Sequence, residues 1–141
     1  MKHVLLLLTI CLVFLSCKKN NDRTLWECNN APFLDSVTIS NKIIGSWIWT
    51  KQLCGDGAGI LLIANKNIKI TFNANATFTV LENSAIITQG NWKLQTVGGS
   101  VWELDLSSSS EYLYGGILFC NNKVMFNDSY RDGCDNVFVK E

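Results

Sequence analysis

From Ile43 onward, apolar and polar side chains alternate at every second position, in segments of six to ten residues separated by Gly, Asn, Asp and Ser clusters. Period two is the spacing of a strand with one face on a core and one in water, so the pattern predicts an antiparallel, all-β domain without long helices. The segments are 44–54, 66–73, 76–82, 85–95, 100–107, 111–120, 123–128 and 136–140. Ile68, Ile70 and Phe72 form one dry face; Trp92 and Leu94 form another; Trp102, Leu104 and Leu106 alternate with Glu103, Asp105 and Ser107. On this reading Glu103 and Asp105 stand on a wet face as solvated charges. Eight short strands must pair their edges or aggregate, and closure into a single eight-stranded up-and-down barrel removes the edges most simply; a two-sheet sandwich is the alternative.

Most connections are short. Pro32, at a first helical position, followed by Phe33-Leu34 and Ile43-Ile44, allows a short helical turn before the first strand. Gly55-Asp56-Gly57-Ala58-Gly59 through Asn65 exceeds hairpin spacing, and in a barrel it would lie over one mouth as a lid, or else be a plain surface loop. Ser107 to Ser110 is a turn, because strands resume on both sides. One globular domain, 31–141, accounts for the pattern.

The N-terminus carries a different message. Met1-Lys2-His3 precedes a twelve-residue apolar run, Val4 to Leu15, too short for a hydrocarbon layer of about 30 Å. Small Ser16 and then Cys17 follow, and Lys18-Lys19-Asn20-Asn21-Asp22 is abruptly polar. Residues 1–16 therefore read as a cleaved signal peptide. Phe14-Leu15-Ser16-Cys17 resembles the lipobox of bacterial lipoproteins, with Phe14 where Leu is usual. An ordinary secretory signal is the competing reading. The resemblance implies a diacylglycerol on Cys17 and a further acyl chain, such as palmitate, on its amine. At about 0.8 kcal/mol per buried methylene, two or three chains hold a protein permanently. The implied location is the bacterial cell envelope: a lipid anchor in a membrane, the outer membrane first, with the domain in the periplasm or at the cell surface. Residues 17–30 read as a lipidated, mostly flexible tether, with order beginning near Cys28.

Setting aside Cys11 and Cys17 leaves Cys28, Cys54, Cys120 and Cys134. An even set in an oxidising compartment reads as two disulfides, with three pairings open. A metal site competes, but there is no Cys-x-x-Cys pair and the single histidine, His3, lies in the leader, so no metal ligand set is expected. Without histidine the mature chain has neither Ser-His-Asp nor Cys-His catalysis. Losing Lys2 leaves 11 basic against 12 acidic side chains, a net of −1 with no basic stripe, so nucleic acid is not an expected partner.

Gly45-Ser46-Trp47 opens the first strand; Ile70-Thr71-Phe72-Asn73-Ala74-Asn75-Ala76-Thr77-Phe78 and Gln89-Gly90-Asn91-Trp92-Lys93-Leu94 follow. In that order they resemble the bacterial lipocalin-like lipoproteins, with a "G-x-W" strand, an "L-x-F-x-x-[DN]-x-T-[FY]" hairpin and an "x-x-G-x-[WY]-x-[IL]" strand. Asn127 to Asp135, leading into Phe138-Val139-Lys140, is also similar to the end of that group. The resemblance implies a calycin-type meander barrel with Gly45 and Trp47 as its signature, Trp47 closing one end, and a basic side chain, Lys140 or Arg131, across it. The second lipocalin motif, T-D-Y, is missing. A barrel this short can be filled by its own side chains, with Trp49, Phe72, Phe78, Trp92, Trp102 and Phe126 as filling. The same side chains, Trp49, Phe72, Phe78, Trp92 and Trp102, are the candidates to face a ligand.

Asp128, Asp132 and Asp135, with Asn127 and Asn136, crowd oxygens as calcium would require, but their spacing matches no calcium loop and turns use Asp and Asn for their own bonding. Glu82, Glu103, Asp105 and Glu111 offer carboxylate pairs without signalling a raised pKa. The expectation is a tethered, non-enzymatic barrel without cofactor, binding a small hydrophobic ligand in its cup or an envelope protein through its loops. A cup requires a cavity on the order of 300 Å³ or more. The alternatives are a disulfide-stabilised inhibitor of a hydrolase and a structural subunit of an envelope complex.

Overall fold

The computed structural model describes residues 27, 28, 30–55 and 60–141, Ile60 by its backbone alone. The expected signal peptide, Cys17, most of the expected tether and positions 56–59 of the candidate lid lie outside the described residues.

A helix, α1 (Ser36–Ile43), precedes nine strands: β1 (Gly45–Cys54), β2 (Ile60–Ile63), β3 (Ile68–Phe72), β4 (Thr77–Glu82), β5 (Ala85–Val97), β6 (Val101–Leu106), β7 (Gly116–Cys120), β8 (Lys123–Asn127) and β9 (Cys134–Lys140). The helix starts at Ser36 instead of at Pro32, because Asp35 is the residue that can cap it: its carboxylate accepts the Thr38 N–H at 2.7 Å, which holds that carboxyl below its usual pKa. Ile39 and Ile43, four residues apart, form its buried face.

Every strand pairing is antiparallel, in the order β6-β5-β4-β3-β1-β9-β8-β7, with β2 on the end of β1. The sheet curls into a nearly closed eight-stranded barrel, the fold class that the alternation predicts. The helix end carries α1 and the β3–β4 and β7–β8 turns; the opposite end carries the β1–β2–β3 and β4–β5 connections, the β6–β7 loop where it enters β7, and the β8–β9 connection. At that opposite end Asn83 and Ser84, both at positive φ, make the two-residue β4–β5 turn whose twist suits a hairpin.

The thirteen-residue β5 pairs with β4 by its first half and with β6 by its second, which carries the sheet round the bend. The seam lies between β6 and β7, where no ladder is formed among the described residues. Two glycines let the chain enter β7, Gly116 on the seam side and Gly115 on the β8 side. A Cβ on Gly116 would sit 2.7 Å from a Val101 methyl, and one on Gly115, at φ +94°, would overlap the Asn127 carbonyl.

The main core contains Trp47, Trp49, Ile70, Phe72, Phe78, Val80, Trp92, Leu104, Phe126 and Phe138, with Ile39 and Ile43 beneath. Each such side chain contributes about 1.5–3 kcal/mol by leaving water. A second cluster, Cys28, Cys120, Met125 and Val137, with Ala31, Leu53 and Leu118 against it, covers β7–β9 on the side away from the main core. Leu53 reaches it because the β1–β9 register slips between Trp49 and Lys51, a bulge that exchanges the faces of β1 beyond that point. The rule of one wet and one dry face therefore fails on β7–β9. Segment boundaries shift too. Residues 107–115 form one β6–β7 connection that buries Tyr112 and Leu113, so no strand resumes directly after Ser107–Ser110, and β9 begins at Cys134, before the segment read from sequence.

Of the three pairings left open, the structure has Cys28–Cys120 and Cys54–Cys134. The second joins directly opposed residues of β1 and β9; the first ties the N-terminal segment to the end of β7. One disulfide thus sits at each end of the barrel. Among the described residues no helix is long and apolar enough to cross a membrane.

Candidate functional site: the barrel interior and its two ends

At the helix end, Gly45 and Trp47 make a closed unit. The Trp47 indole N–H donates to the Ile43 carbonyl at 2.7 Å, satisfying one of the carbonyls that α1 leaves unpaired. Lys140 Nζ lies 5.2 Å from the Trp47 ring centroid and donates to the Lys42 carbonyl at 3.4 Å. A Cβ on Gly45, whose φ is +123°, would stand 3.2 Å from Lys140 Cε, so the glycine makes room for that arm. Lys140 is the basic residue across the tryptophan; Arg131 lies at the opposite end, against Glu103 and Asp128.

The candidate ligand-facing side chains are brought together by β1, β3, β4 and β5, and pack on one another. Phe72 sits edge-on to Trp92 at 5.9 Å and 6.4 Å from Phe78, Trp49 edge-on to Tyr112 at 5.4 Å, and Phe126 edge-on to Phe138 at 5.8 Å. Tyr112 comes from the β6–β7 connection, so a loop side chain reaches the strand residue Trp49 in the core. Trp102 differs from the other four. It is half-buried and lines a cleft of about 70 Å³ at the seam, with Pro32, Phe33, Leu34, Ile39 and Phe119. Among the described residues the buried indole N–H groups of Trp49 and Trp92 and the Asn136 amide oxygen lack hydrogen-bond partners.

The acidic residues near the C-terminus are committed to their own turn. Asp135 Oδ1 accepts the N–H groups of Asp128 and Ser129, each at 2.8 Å; burial pushes its pKa up, and those two donors pull against that rise. Asp128 accepts from Arg131 Nε at 2.9 Å. Among the described residues no group of three or more His, Cys, Asp or Glu side chains is placed to hold a metal.

Glu103 requires a correction. It is buried, not solvated, because the 3-10 turn Ser129–Arg131 folds over it: Arg131 Nη2 lies 3.1 Å from its carboxylate and the Tyr130 hydroxyl donates to it. Partial burial first, and then that carboxylate, push the Tyr130 phenol up to about 12. Asp105 does face outward, paired with Lys93 at 2.9 Å, and Glu82 pairs with Lys66 at 3.1 Å. Glu82, Glu103 and Asp105 are thus each paired with a different base, Lys66, Arg131 and Lys93 respectively.

Sequence reasoning missed what the opposite end displays. Leu62 and Ile63 on β2, Ile86 at the start of β5, Tyr114 before β7 and Tyr130 before β9 are all exposed. Every connection at that end thus presents an apolar or aromatic side chain to water. The signal was the run Ile60-Leu61-Leu62-Ile63 inside the candidate lid, four apolar residues in succession where a solvated loop has no use for them. Comparison with protein-family models, with curated proteins and with solved structures returned no match.

Proposed function

We propose that this chain is a lipid-anchored, non-catalytic barrel of a bacterial envelope, which binds a protein partner through the end of the barrel away from its tether. The observation that carries the reading is the display of Leu62, Ile63, Ile86, Tyr114 and Tyr130 on the four connections of one end, over a core whose rings already fill one another's faces. Exposed apolar side chains gathered at one place mark interaction surfaces, and tyrosine is enriched where proteins meet. Two disulfides suit an oxidising compartment, and the lipobox-like Cys17 supplies the anchor. A small apolar ligand would need an enclosed interior; the apolar cleft at the seam, about 70 Å³, is well below the roughly 300 Å³ at which small-molecule sites begin, and the larger hollows, about 320 Å³ along Ile86 to Gln89 and about 480 Å³ beside Pro32 and Phe119, are open surface grooves.

An inhibitory variant of this reading has one feature in its favour: Cys54, tied to Cys134, pins the base of the β1–β2 connection. A photoreactive side chain at Tyr114, with Val37 on α1 at the helix end as control, tests the proposal in intact envelopes. A discrete protein adduct from Tyr114 and none from Val37 is expected, together with a bare mass for the mature domain in native mass spectrometry. A small molecule retained at one per chain overturns surface recognition in favour of an interior ligand.

A further inference from the structure

We infer that the helix end of the barrel rests on the lipid surface, with Phe33 and Val37 inserted among the acyl chains; this deepens the proposed function and rests on the anchor at Cys17. Phe33 and Val37 are 73% and 68% exposed, the most exposed of the large apolar side chains among the described residues. Nothing in the cap geometry requires Val37 to be apolar. It stands on the flank of α1 opposite Ile39 and Ile43, where a soluble protein ordinarily carries a polar residue. Phe33 stands at the rim of the seam cleft, beside Pro32 and Leu34, so an apolar surface continues inward from the exposed ring.

The chain outside the described residues says what covers this face. Cys28 is fixed to Cys120 at the helix end, and ten residues, eleven Cα–Cα steps, separate it from Cys17. At ~3.6 Å per residue that length spans at most about 40 Å, and its root-mean-square reach as a coil is about 20 Å, less than the roughly 33 Å that the ten residues of β1 cover at ~3.3 Å each. An anchor at Cys17 therefore keeps the helix end, and not the opposite end, next to the lipid. Because the tether makes the contact intramolecular, two inserted side chains suffice where they would be too weak to bring a free protein to a membrane. The display of Tyr114 and Tyr130 at the opposite end then points outward, where a partner can reach it.

The full-length acylated protein in vesicles of phosphatidylethanolamine and phosphatidylglycerol tests this, with Phe33→benzoylphenylalanine, Val37→benzoylphenylalanine and Ile86→benzoylphenylalanine irradiated in parallel. Lipid adducts several-fold more abundant from positions 33 and 37 than from 86 are expected. Intact mass of the same samples reports whether Cys17 carries acyl chains. Acylated protein without excess lipid adducts at 33 and 37 overturns the inference and leaves the anchor standing. Protein that is not acylated overturns the anchor, and the inference with it. Adducts between two copies of the chain at position 33 overturn it in favour of self-association. All three positions are solvent-exposed, and an unchanged near-ultraviolet signal from Trp47 and its neighbours confirms folding of each variant.

Discussion

The barrel has two halves that obey different rules. Strands β3 and β4 alternate cleanly, buried side chains on one face and solvated ones on the other, and along β5 Trp92 is buried between exposed neighbours. Strands β7, β8 and β9 are buried on both faces, with runs such as Val124-Met125-Phe126 and Asp135-Asn136-Val137-Phe138 inaccessible. The difference comes from what lies outside. Among the described residues nothing covers β3–β5, whereas the N-terminal segment, stapled through Cys28, lies over β7–β9. A strand's pattern thus reports how many layers cover it, and the second layer here is a few residues held by one covalent bond.

That contrast can be broken most severely by replacing Cys28 and Cys120 with alanine. Closing a loop of sequence separation 92 is worth about 2–5 kcal/mol, so chemical denaturation should show a loss of that size. Limited proteolysis should then cut near residues 30–34 while β3–β5 stay intact; equal protection of the two halves would contradict the division.

A milder test compares outward positions. Met125→Ala, in the outer cluster, should cost roughly 2–5 kcal/mol, as in a core, whereas Thr79→Ala, outward on β4, should cost below about 1 kcal/mol. Similar losses in denaturant melts would mean that the outer cluster is not a core.

The smallest effect is expected from alkali. Burial first, and then Glu111, push the Tyr112 phenol up to about 12, and Tyr130 beside Glu103 reaches a similar value, against about 10 in an unfolded chain. The unfolded chain loses these protons first, so stability is unaffected below pH 10 and falls between about 10 and 12. Tyr130→Phe should flatten that fall in urea melts at successive pH values, and an unchanged slope would separate the hydroxyl from Glu103.

The legibility of the chain follows the same division. β3 and β4 were readable to within one or two residues, because burial on one face writes itself as period two in Ile68, Ile70, Phe72, Phe78 and Val80. β2 was not, since four consecutive apolar residues carry no period, and their pairing with Lys51 to Cys54 depends on a neighbour distant in sequence. Glu103 misled for a related reason. Its place on the outward face of β6 was read correctly, yet its burial is caused by Tyr130 and Arg131, more than twenty residues away. Of the candidate site, the aromatic filling was legible, and the display on the opposite end was not.

By itself the sequence determined the class of fold, the four cysteines that pair and the aromatic filling of the barrel, because each is encoded in residue type and in spacing along one strand or turn. Only the tertiary structure decided which cysteine meets which, where the seam falls, that Lys140 covers Trp47, and which apolar side chains remain in water. Those outcomes depend on residues far apart in the chain arriving at one place, and no local pattern records who the neighbours will be.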